Sequence, residues 1–264
     1  MSTILNKYHK RHCSISMPNI HAQIVIKAWS NLCYNIIAAR LVSLIERQIH
    51  PILASSDTLR MRMATHFSIK NGILIGAEFL ASPNFNARPS DATGIISGIV
   101  IHNISLPPAN FGQTNAQGLH HVKAFFQNQL NPDDHAYFQT IKDLRVSAHL
   151  FIERDGSVTQ FVNFNDRAWH AGRSAYLGRK ECNDFSIGIE LEGADHLPYK
   201  AVQYQVLSQV IAAIHAAYPA TRRHLMGHSD IAPGRKTDPG VHFDWQKLRV
   251  MVAALMKSPD PNDA

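Results

Sequence analysis

The chain has 264 residues, of which 45% are hydrophobic, which is ample for the core of one domain or of one domain with an appendage. Residues 1–63 contain eight basic and two acidic residues and carry the whole net charge of +6, so we expect no nucleic-acid partner for the balanced remainder. No run reaches the roughly 18 apolar residues of a membrane span, and the three scattered cysteines include no C-x-x-C pair. We therefore expect a cytoplasmic protein without stable membrane association.

The first quarter of the chain differs from the rest in its pattern of apolar and charged residues. Apolar residues with helical spacing within residues 28–48 favour an amphipathic helix. A poorly ordered extension is one alternative, and a translation start at Met61 or Met63 is another. We predict an N-terminal extension, residues 1–63, followed by one functional domain, residues 64–264.

After the extension, short apolar runs alternate with turn residues. The β-branched run of residues 94–104 predicts a strand that is covered on both faces and carries His102 near its end. Residues 115–130 predict a helix. Residues 144–164 predict two strands around Asp155–Gly156, which is a strong hairpin signal.

The second half of the chain continues this mixture. Residues 184–193 predict a strand with alternating apolar side chains. Helices are predicted over residues 200–219 and 243–256, the second with Asp244 as a candidate N-cap. Hairpin and crossover connections together indicate an α/β or α+β fold, in which helices flank a central mixed β-sheet.

The loop of residues 227–240 is rich in glycine and proline, which disfavours both helix and strand. It carries His228 and Asp238, and an imidazole and a carboxylate are both good zinc ligands. His102, at the end of a rigid strand, is the candidate third ligand. The alternative is a surface loop capped by Asp238, with His102 in the core.

Two further charged residues are candidates for catalysis. Lys236 lies two residues before Asp238, and its ammonium group could stabilise an oxyanion; a solvated lysine is the alternative. Glu190 lies on the strand face that it shares with Gly188, where a carboxylate needs a partner or a task, such as that of a general base. Glu192 shares this face, but we expect it to be solvated near the strand end.

Four blocks of sequence occur between Gly72 and Leu255: GIVIHNISLPPANFG, LRVSAHLFIERDGSVTQFVNFNDRAWHAGRSAYLGR, CNDFSIGIELEG and GHSDIAPGRKTDPG. In order and spacing they resemble the AmpD family of zinc-dependent N-acetylmuramoyl-L-alanine amidases. That family is related to the peptidoglycan-recognition proteins and the phage lysozyme-amidases. The resemblance implies their fold, a central mixed β-sheet flanked by helices, with one zinc ion per chain at one edge.

The resemblance also implies a role for each matching residue. His102, His228 and Asp238 match the zinc ligands, Glu190 matches the catalytic glutamate, and Lys236 matches the lysine that stabilises the tetrahedral intermediate. Further residues fall where the family lines its substrate groove: Asn103, Tyr137, Arg145, Trp169 and His170.

Several of these groove residues have a second interpretation. Arg145 suits a substrate carboxylate through a bidentate pair, and a strand-edge arginine is the alternative. Trp169 stacks on a sugar or fills the core, and Tyr137 donates a hydrogen bond near the zinc or packs. Glu181 departs from the family, because a basic residue is expected there in close relatives.

The activity implied by the resemblance is hydrolysis of the amide bond between N-acetylmuramic acid, in its 1,6-anhydro form, and L-alanine of muropeptides in cell-wall recycling. The partner is then a small muropeptide, and we expect a monomer. One rival is the same chemistry on intact peptidoglycan outside the cytoplasm, and a second is a non-catalytic peptidoglycan-binding module. A third rival makes the basic extension an arm for nucleic acid or anionic membrane.

Overall fold

The computed structural model describes residues 67–257, and the helix predicted over residues 28–48 lies outside them. The strands of this range are β1 (Ser68–Lys70), β2 (Ile73–Ile75), β3 (Glu78–Phe79), β4 (Phe85–Ala87), β5 (Gly98–Ile104), β6 (Leu150–Ile152), β7 (Val158–Gln160), β8 (Asp166–Ala168), β9 (Ala175–Tyr176), β10 (Arg179–Lys180), β11 (Ser186–Glu192) and β12 (Leu225–Gly227). The α-helices are α1 (His121–Phe126), α2 (Ala136–Ile141), α3 (Ala201–Ala217), α4 (His228–Ile231) and α5 (Trp245–Lys257). Short 3₁₀ helices lie at Ala92–Gly94, Cys182–Asp184 and Pro219–Arg223. No helix among residues 67–257 has the length and apolar character needed to cross a membrane.

A six-stranded sheet with the order β12-β5-β11-β6-β7-β3 organises this domain. Strands β12, β5, β11 and β6 run parallel, β6 and β7 form an antiparallel hairpin, and β3 lies parallel to β7. The predicted central mixed sheet is therefore confirmed. Smaller two-stranded sheets pair β1 with β2, β4 with β8, and β9 with β10.

Helices cover both faces of the central sheet. Ile99 of β5 shares the largest buried cluster with Leu207 of α3 and Leu248 of α5. Phe151 of β6 points to the opposite face, where it belongs to a second buried cluster with Phe138 of α2. This arrangement confirms the expectation of a helix-flanked sheet, because each face of a sheet must bury its apolar side chains against another layer.

The predicted strands are confirmed, with shorter bounds. The run of residues 94–104 forms β5, residues 184–193 form β11, and the hairpin predicted around Asp155–Gly156 joins β6 to β7. Residues 98–102 are all buried, as expected for a strand that is covered on both faces.

Two of the predicted helices are also confirmed. α3 (Ala201–Ala217) lies within the predicted range 200–219, and α5 (Trp245–Lys257) covers most of the predicted range 243–256. Asp244 caps α5, because its Oδ1 accepts a hydrogen bond of 2.8 Å from the backbone N–H of Lys247.

Two other helix predictions were wrong in extent. The helix predicted over residues 115–130 is only α1, because the side-chain oxygen of Asn115 accepts two backbone N–H groups and folds the preceding segment into a turn. The loop of residues 227–240 was predicted to lack a helix, but it begins with the single turn of α4. Oδ2 of Asp230 accepts a hydrogen bond of 2.7 Å from the backbone N–H of Gly227, which stabilises this turn.

Candidate active site

Three neighbouring parallel strands end at one site. His102 of β5 lies opposite Glu190 of β11 in the strand register. On the other side of β5, Gly227 of β12 lies opposite Ile101, and His228 follows as the first residue of α4. Ligands commonly bind at the carboxyl ends of parallel strands, and here three candidate catalytic residues lie there together.

The three residues predicted to bind a metal converge through their ligand atoms. Nδ1 of His102 lies 2.9 Å from Nδ1 of His228, and both nitrogens lie 3.1 Å from Oδ2 of Asp238. Tetrahedral zinc, with bonds of about 2.0–2.1 Å, separates its ligand atoms by about 3.3 Å, so the donor set fits a zinc ion within a few tenths of an ångström. Within residues 67–257, it is the only group of three His, Cys, Asp or Glu side chains that converges in this way.

Burial and hydrogen bonding set the charges in this cluster. Burial lowers the pKa of His102 to about 4, although its hydrogen bond with Asp238 acts in the opposite direction. Burial alone would raise the pKa of Asp238, but hydrogen bonds with His102 and His228 hold it well below its usual range. Near pH 7 the cluster therefore contains a neutral His102 and an ionised Asp238, which are the protonation states that zinc ligands require.

The outer nitrogens of both imidazoles also have partners. Nε2 of His228 lies 3.1 Å from the carbonyl oxygen of Ala171, so Nε2 carries the proton and Nδ1 presents a lone pair to the cluster. Nε2 of His102 lies 3.0 Å from Nδ1 of His170. Partners of this kind orient histidine ligands towards a metal.

Glu190 lies in the same groove as the cluster and has an unusual carboxyl group. Its Oε2 is buried and has no hydrogen-bond partner among the described residues. Burial and the nearby charge of Asp238 raise the pKa of Glu190 well above its usual value, while Lys236 opposes this shift. A carboxyl group with a raised pKa can both accept and return a proton near neutral pH, as a general base requires.

The groove has a volume of about 540 Å³ and a lining of both polar and apolar residues. The polar residues include Glu190, Lys236 and Asp238. Lys236 is exposed, so its ammonium group is free to meet a ligand. The apolar lining residues include Leu106, Phe125, Phe126, Ile141, Leu144 and Val146. The volume is in the usual range of small-molecule sites.

Four of the five predicted groove residues line this groove: Asn103, Tyr137, Trp169 and His170. The indole N–H of Trp169 donates a hydrogen bond of 2.7 Å to Asn86 Oδ1, and the Trp169 side chain is partly exposed. Tyr137 is 39% exposed, so it is not a core residue. His170 is buried, and its ring lies directly over Gly188, where an added Cβ would lie 2.3 Å from the His170 ring.

Arg145 does not line this main groove. It lies at a smaller adjoining pocket of about 330 Å³ that also includes Trp169 and Lys236. Its guanidinium donates to the backbone carbonyls of Lys142 and Leu144. Both carbonyls belong to neighbouring exposed residues, so the guanidinium remains within reach of solvent.

The expectation for Glu192 was wrong. Glu192 is 1% exposed, because it lies beneath the loop that follows β5. Its carboxylate accepts hydrogen bonds from the backbone N–H groups of Gly112 and Arg154 and contacts His120 Nε2 at 3.1 Å. Glu192 therefore fixes one wall of the site.

Asp195 is a site residue that the sequence analysis missed. Its Oδ1 accepts a hydrogen bond of 2.7 Å from Asn103 Nδ2, and its Oδ2 accepts one from the Thr237 hydroxyl. It thereby links the neighbour of His102 to the neighbour of Asp238. No local pattern marks such a residue, because both of its partners are distant in sequence.

Comparison with known proteins places this site in a family. Residues 92–241 match the family model described as N-acetylmuramoyl-L-alanine amidase, Amidase_2. Over 185 residues the chain is 49% identical to the 1,6-anhydro-N-acetylmuramyl-L-alanine amidase AmpD of Escherichia coli strain K12, with coverage of 70% of this chain and 97% of that protein. This chain belongs to the AmpD family of N-acetylmuramoyl-L-alanine amidases.

Solved structures of AmpD proteins support the same assignment. The crystal structure of a selenomethionine AmpD derivative matches with 48% identity and a TM-score of 0.65, covering 70% of this chain and 98% of that one. The solution structure of Citrobacter freundii AmpD matches with 46% identity and a TM-score of 0.52, covering 73% and 98%. The predicted AmpD family, amidase enzyme class and mixed-sheet fold are therefore confirmed.

Proposed function

We propose that this chain hydrolyses the amide bond between N-acetylmuramic acid, in its 1,6-anhydro form, and L-alanine of muropeptides. The observation that carries the proposal is the convergence of His102 with His228 and Asp238 beside the groove where Glu190 Oε2 has no hydrogen-bond partner among residues 67–257. A relative that is 49% identical bears the name of this activity, which supports the same substrate here.

The metal in this proposal is one zinc ion, held by His102 Nδ1, His228 Nδ1 and Asp238 Oδ2. When bound, zinc polarises the amide carbonyl as a Lewis acid and lowers the pKa of a water molecule. The close fit of the three ligand atoms and the neutral state of His102 support zinc at this place.

Glu190 moves the proton in the reaction. Its Oε2 accepts a proton from the attacking water while the new C–O bond forms at the amide carbon. The same oxygen then donates this proton to the nitrogen of L-alanine as the C–N bond breaks. The products are the lactyl carboxylate of the sugar and the free amine of the peptide.

Lys236 stabilises the charge that develops on the carbonyl oxygen. Its ammonium group is exposed on the groove, and its charge acts to lower the pKa of both Glu190 and His102. A positive group in this position acts mainly on the transition state, because only then does the oxygen carry a full negative charge.

The remaining groove residues bind the substrate in this proposal. Trp169 and Tyr137 are partly exposed rings suited to contact a sugar, and Asn103 and His170 add polar groups to the groove lining. Arg145, at the adjoining pocket, suits a carboxylate of the peptide.

We further propose that the reaction takes place in the cytoplasm during cell-wall recycling. The relatives named for 1,6-anhydro substrates support the recycling role. Cys182 is buried with a free thiol, which agrees with a reducing compartment.

Metal analysis tests the zinc-dependent part of this proposal. We expect one zinc ion per chain, loss of amide hydrolysis after chelation, and recovery when zinc is restored. Asp238→Ala should lose zinc, while Asp143→Ala, at an exposed position on the loop after α2, should retain it. Full hydrolysis by the zinc-free protein would refute the metal centre.

A further inference from the structure

A chain of buried hydrogen bonds leads away from the candidate metal centre through His170 to Ser186. We propose that His170 and Ser186 are positioning residues that fix the proton of His102 on Nε2, so that its Nδ1 presents a lone pair to the metal. This inference rests on the proposed metal site but assigns new roles to both residues.

This series of hydrogen bonds starts at the carbonyl oxygen of Cys182, which can only accept a hydrogen bond. The hydroxyl of Ser186 lies 2.5 Å from the carbonyl oxygen of Cys182, so it donates its single proton there. After this, Ser186 Oγ has lone pairs but no proton to offer. Any further partner of this oxygen must therefore be a donor.

The next group is the imidazole of His170. Its Nε2 lies 3.4 Å from Ser186 Oγ, a long contact in which only the imidazole is able to donate, and this favours a proton on Nε2. In a neutral imidazole the other nitrogen is then an acceptor, and Nδ1 of His170 faces Nε2 of His102 at 3.0 Å. His102 accordingly carries its proton on Nε2.

Metal binding by His102 requires the same proton positions on His102 and His170. A metal on Nδ1 of His102 leaves Nε2 protonated, and this N–H needs an acceptor. If Ser186 offered a proton instead, His170 would place a proton on Nδ1, opposite another N–H. The direction of the Ser186 hydroxyl thus determines whether the histidine pair is compatible with the metal.

Packing holds these hydrogen-bonded side chains in place. Ser186 is 0%, His102 1% and His170 9% exposed, so little water competes for their hydrogen bonds. Only glycine at position 188 leaves space for the His170 ring, because an added Cβ would lie 2.3 Å from it. The Asn183 side-chain oxygen accepts the backbone N–H groups of both His170 and Ala171.

His170 and Ala171, which are consecutive in sequence, therefore orient both histidine ligands. The His170 ring receives the outer N–H of His102, and the Ala171 carbonyl receives that of His228. Asn183 fixes this dipeptide, so the ligand geometry is set by one short segment rather than by the ligands alone.

Paired substitutions of His170 separate proton positioning from packing. His170→Asn keeps a carbonyl acceptor close to the place of Nδ1, whereas His170→Leu has a similar shape and no acceptor. Zinc affinity of the full chain, measured by competition with a chromophoric chelator, should fall about 10–100-fold in His170→Leu. His170→Asn should lie within a few-fold of the wild type. If His170→Asn and His170→Leu have the same thermal stability and lose the same amount of zinc affinity, the inference is overturned.

Imidazole NMR of the zinc-loaded chain with ¹⁵N-labelled histidine reads the proton position directly. We expect the proton of His170 on Nε2 in the wild type and a redistribution towards Nδ1 in Ser186→Ala. A wild-type proton on Nδ1 would contradict the inference. A wild type that does not take up zinc would instead refute the metal centre, so the two failures are distinguishable.

Discussion

Glu190 and Glu192 lie two residues apart on β11, yet their carboxyl groups have opposite surroundings. Glu192 receives hydrogen bonds that outweigh its burial and lower its pKa. Glu190 has a buried oxygen with no hydrogen-bond partner in the part of the chain that the structure describes, and burial raises its pKa. The first carboxylate is thus stabilised as a structural anion, while the second is available to exchange a proton.

Substitution of these two glutamates tests this difference. Glu190→Gln should reduce turnover by about 10²–10⁴-fold and leave zinc content unchanged, because the amide cannot accept the proton of water. Glu192→Gln, on the same strand and face, should lower turnover far less than Glu190→Gln, because Glu192 anchors a loop of the groove wall and transfers no proton in the reaction. Steady-state rates and metal content provide the measurement. A Glu190→Gln variant with the wild-type rate would remove Glu190 from the mechanism.

Lys236→Met should lower kcat by about 10²–10³-fold, since it removes a group that stabilises the developing oxyanion. Thermal stability should not change, because Lys236 is exposed. Lys200→Met, at another exposed lysine, serves as the control. A change confined to KM would indicate that Lys236 contributes only to ground-state binding.

Position in a strand or loop made His102, His228, Asp238 and Glu190 separate candidates, and the resemblance to the AmpD family joined them into one predicted site. It could not predict which acidic residue of β11 is buried with partners. Glu192 depends on Gly112 and His120, and only the folded loop brings these groups to the strand end.

At the scale of elements, the loop between β5 and α1 forms part of the groove wall and is anchored by Glu192 of β11. Leu106 and Ala109 of this loop line the groove, and Glu192 binds the loop further on, at Gly112 and His120. Burial acts to raise the pKa of Glu192, but its hydrogen bonds prevail and lower the pKa below the usual 4.5. The attachment of the loop therefore depends on an ionised Glu192.

The lowered pKa of Glu192 predicts how stability varies with pH. A lowered folded-state pKa contributes stability that is fully present above pH 4.5 and is lost as the pH falls through the folded-state value. Glu192→Gln should thus cost about 1–3 kcal/mol at pH 6 and less at pH 3. Chemical denaturation of both proteins at the two pH values measures this. A pH-independent difference would contradict the role of the charge.

The errors in the predicted helices have a local cause. Periodicity of apolar residues extended one helix over residues 115–130, but the Asn115 side chain bonds the backbone and delays the start to His121. In the loop of residues 227–240, the glycines and prolines after Ile231 concealed one helical turn. Side-chain hydrogen bonds to the backbone decided both cases.

At the scale of the whole molecule, alternating strands and helices were sufficient to predict the sheet and the layers around it. The order β12-β5-β11 could not be read from periodicity, because it depends on crossover connections between strands far apart in sequence. Yet this order is what places His228 beside His102 and Glu190. The resemblance to the AmpD family supplied the site that pattern alone left open.

The positive charge of residues 1–63 is separate from the family match, which spans residues 92–241. We predict that deletion of residues 1–60 leaves kcat and KM unchanged, because every candidate site residue lies beyond Ala64. Kinetic comparison of the full and shortened chains measures this. A large fall in rate would assign a function to the extension.

The most direct test of the central claim is mass spectrometry of a defined 1,6-anhydro-muramyl tripeptide after incubation with the zinc-loaded protein. We expect two products, the free tripeptide and the intact 1,6-anhydro sugar, and neither product with Glu190→Gln. If the zinc-loaded protein binds this substrate but leaves the amide bond uncleaved, the proposed amidase mechanism is contradicted.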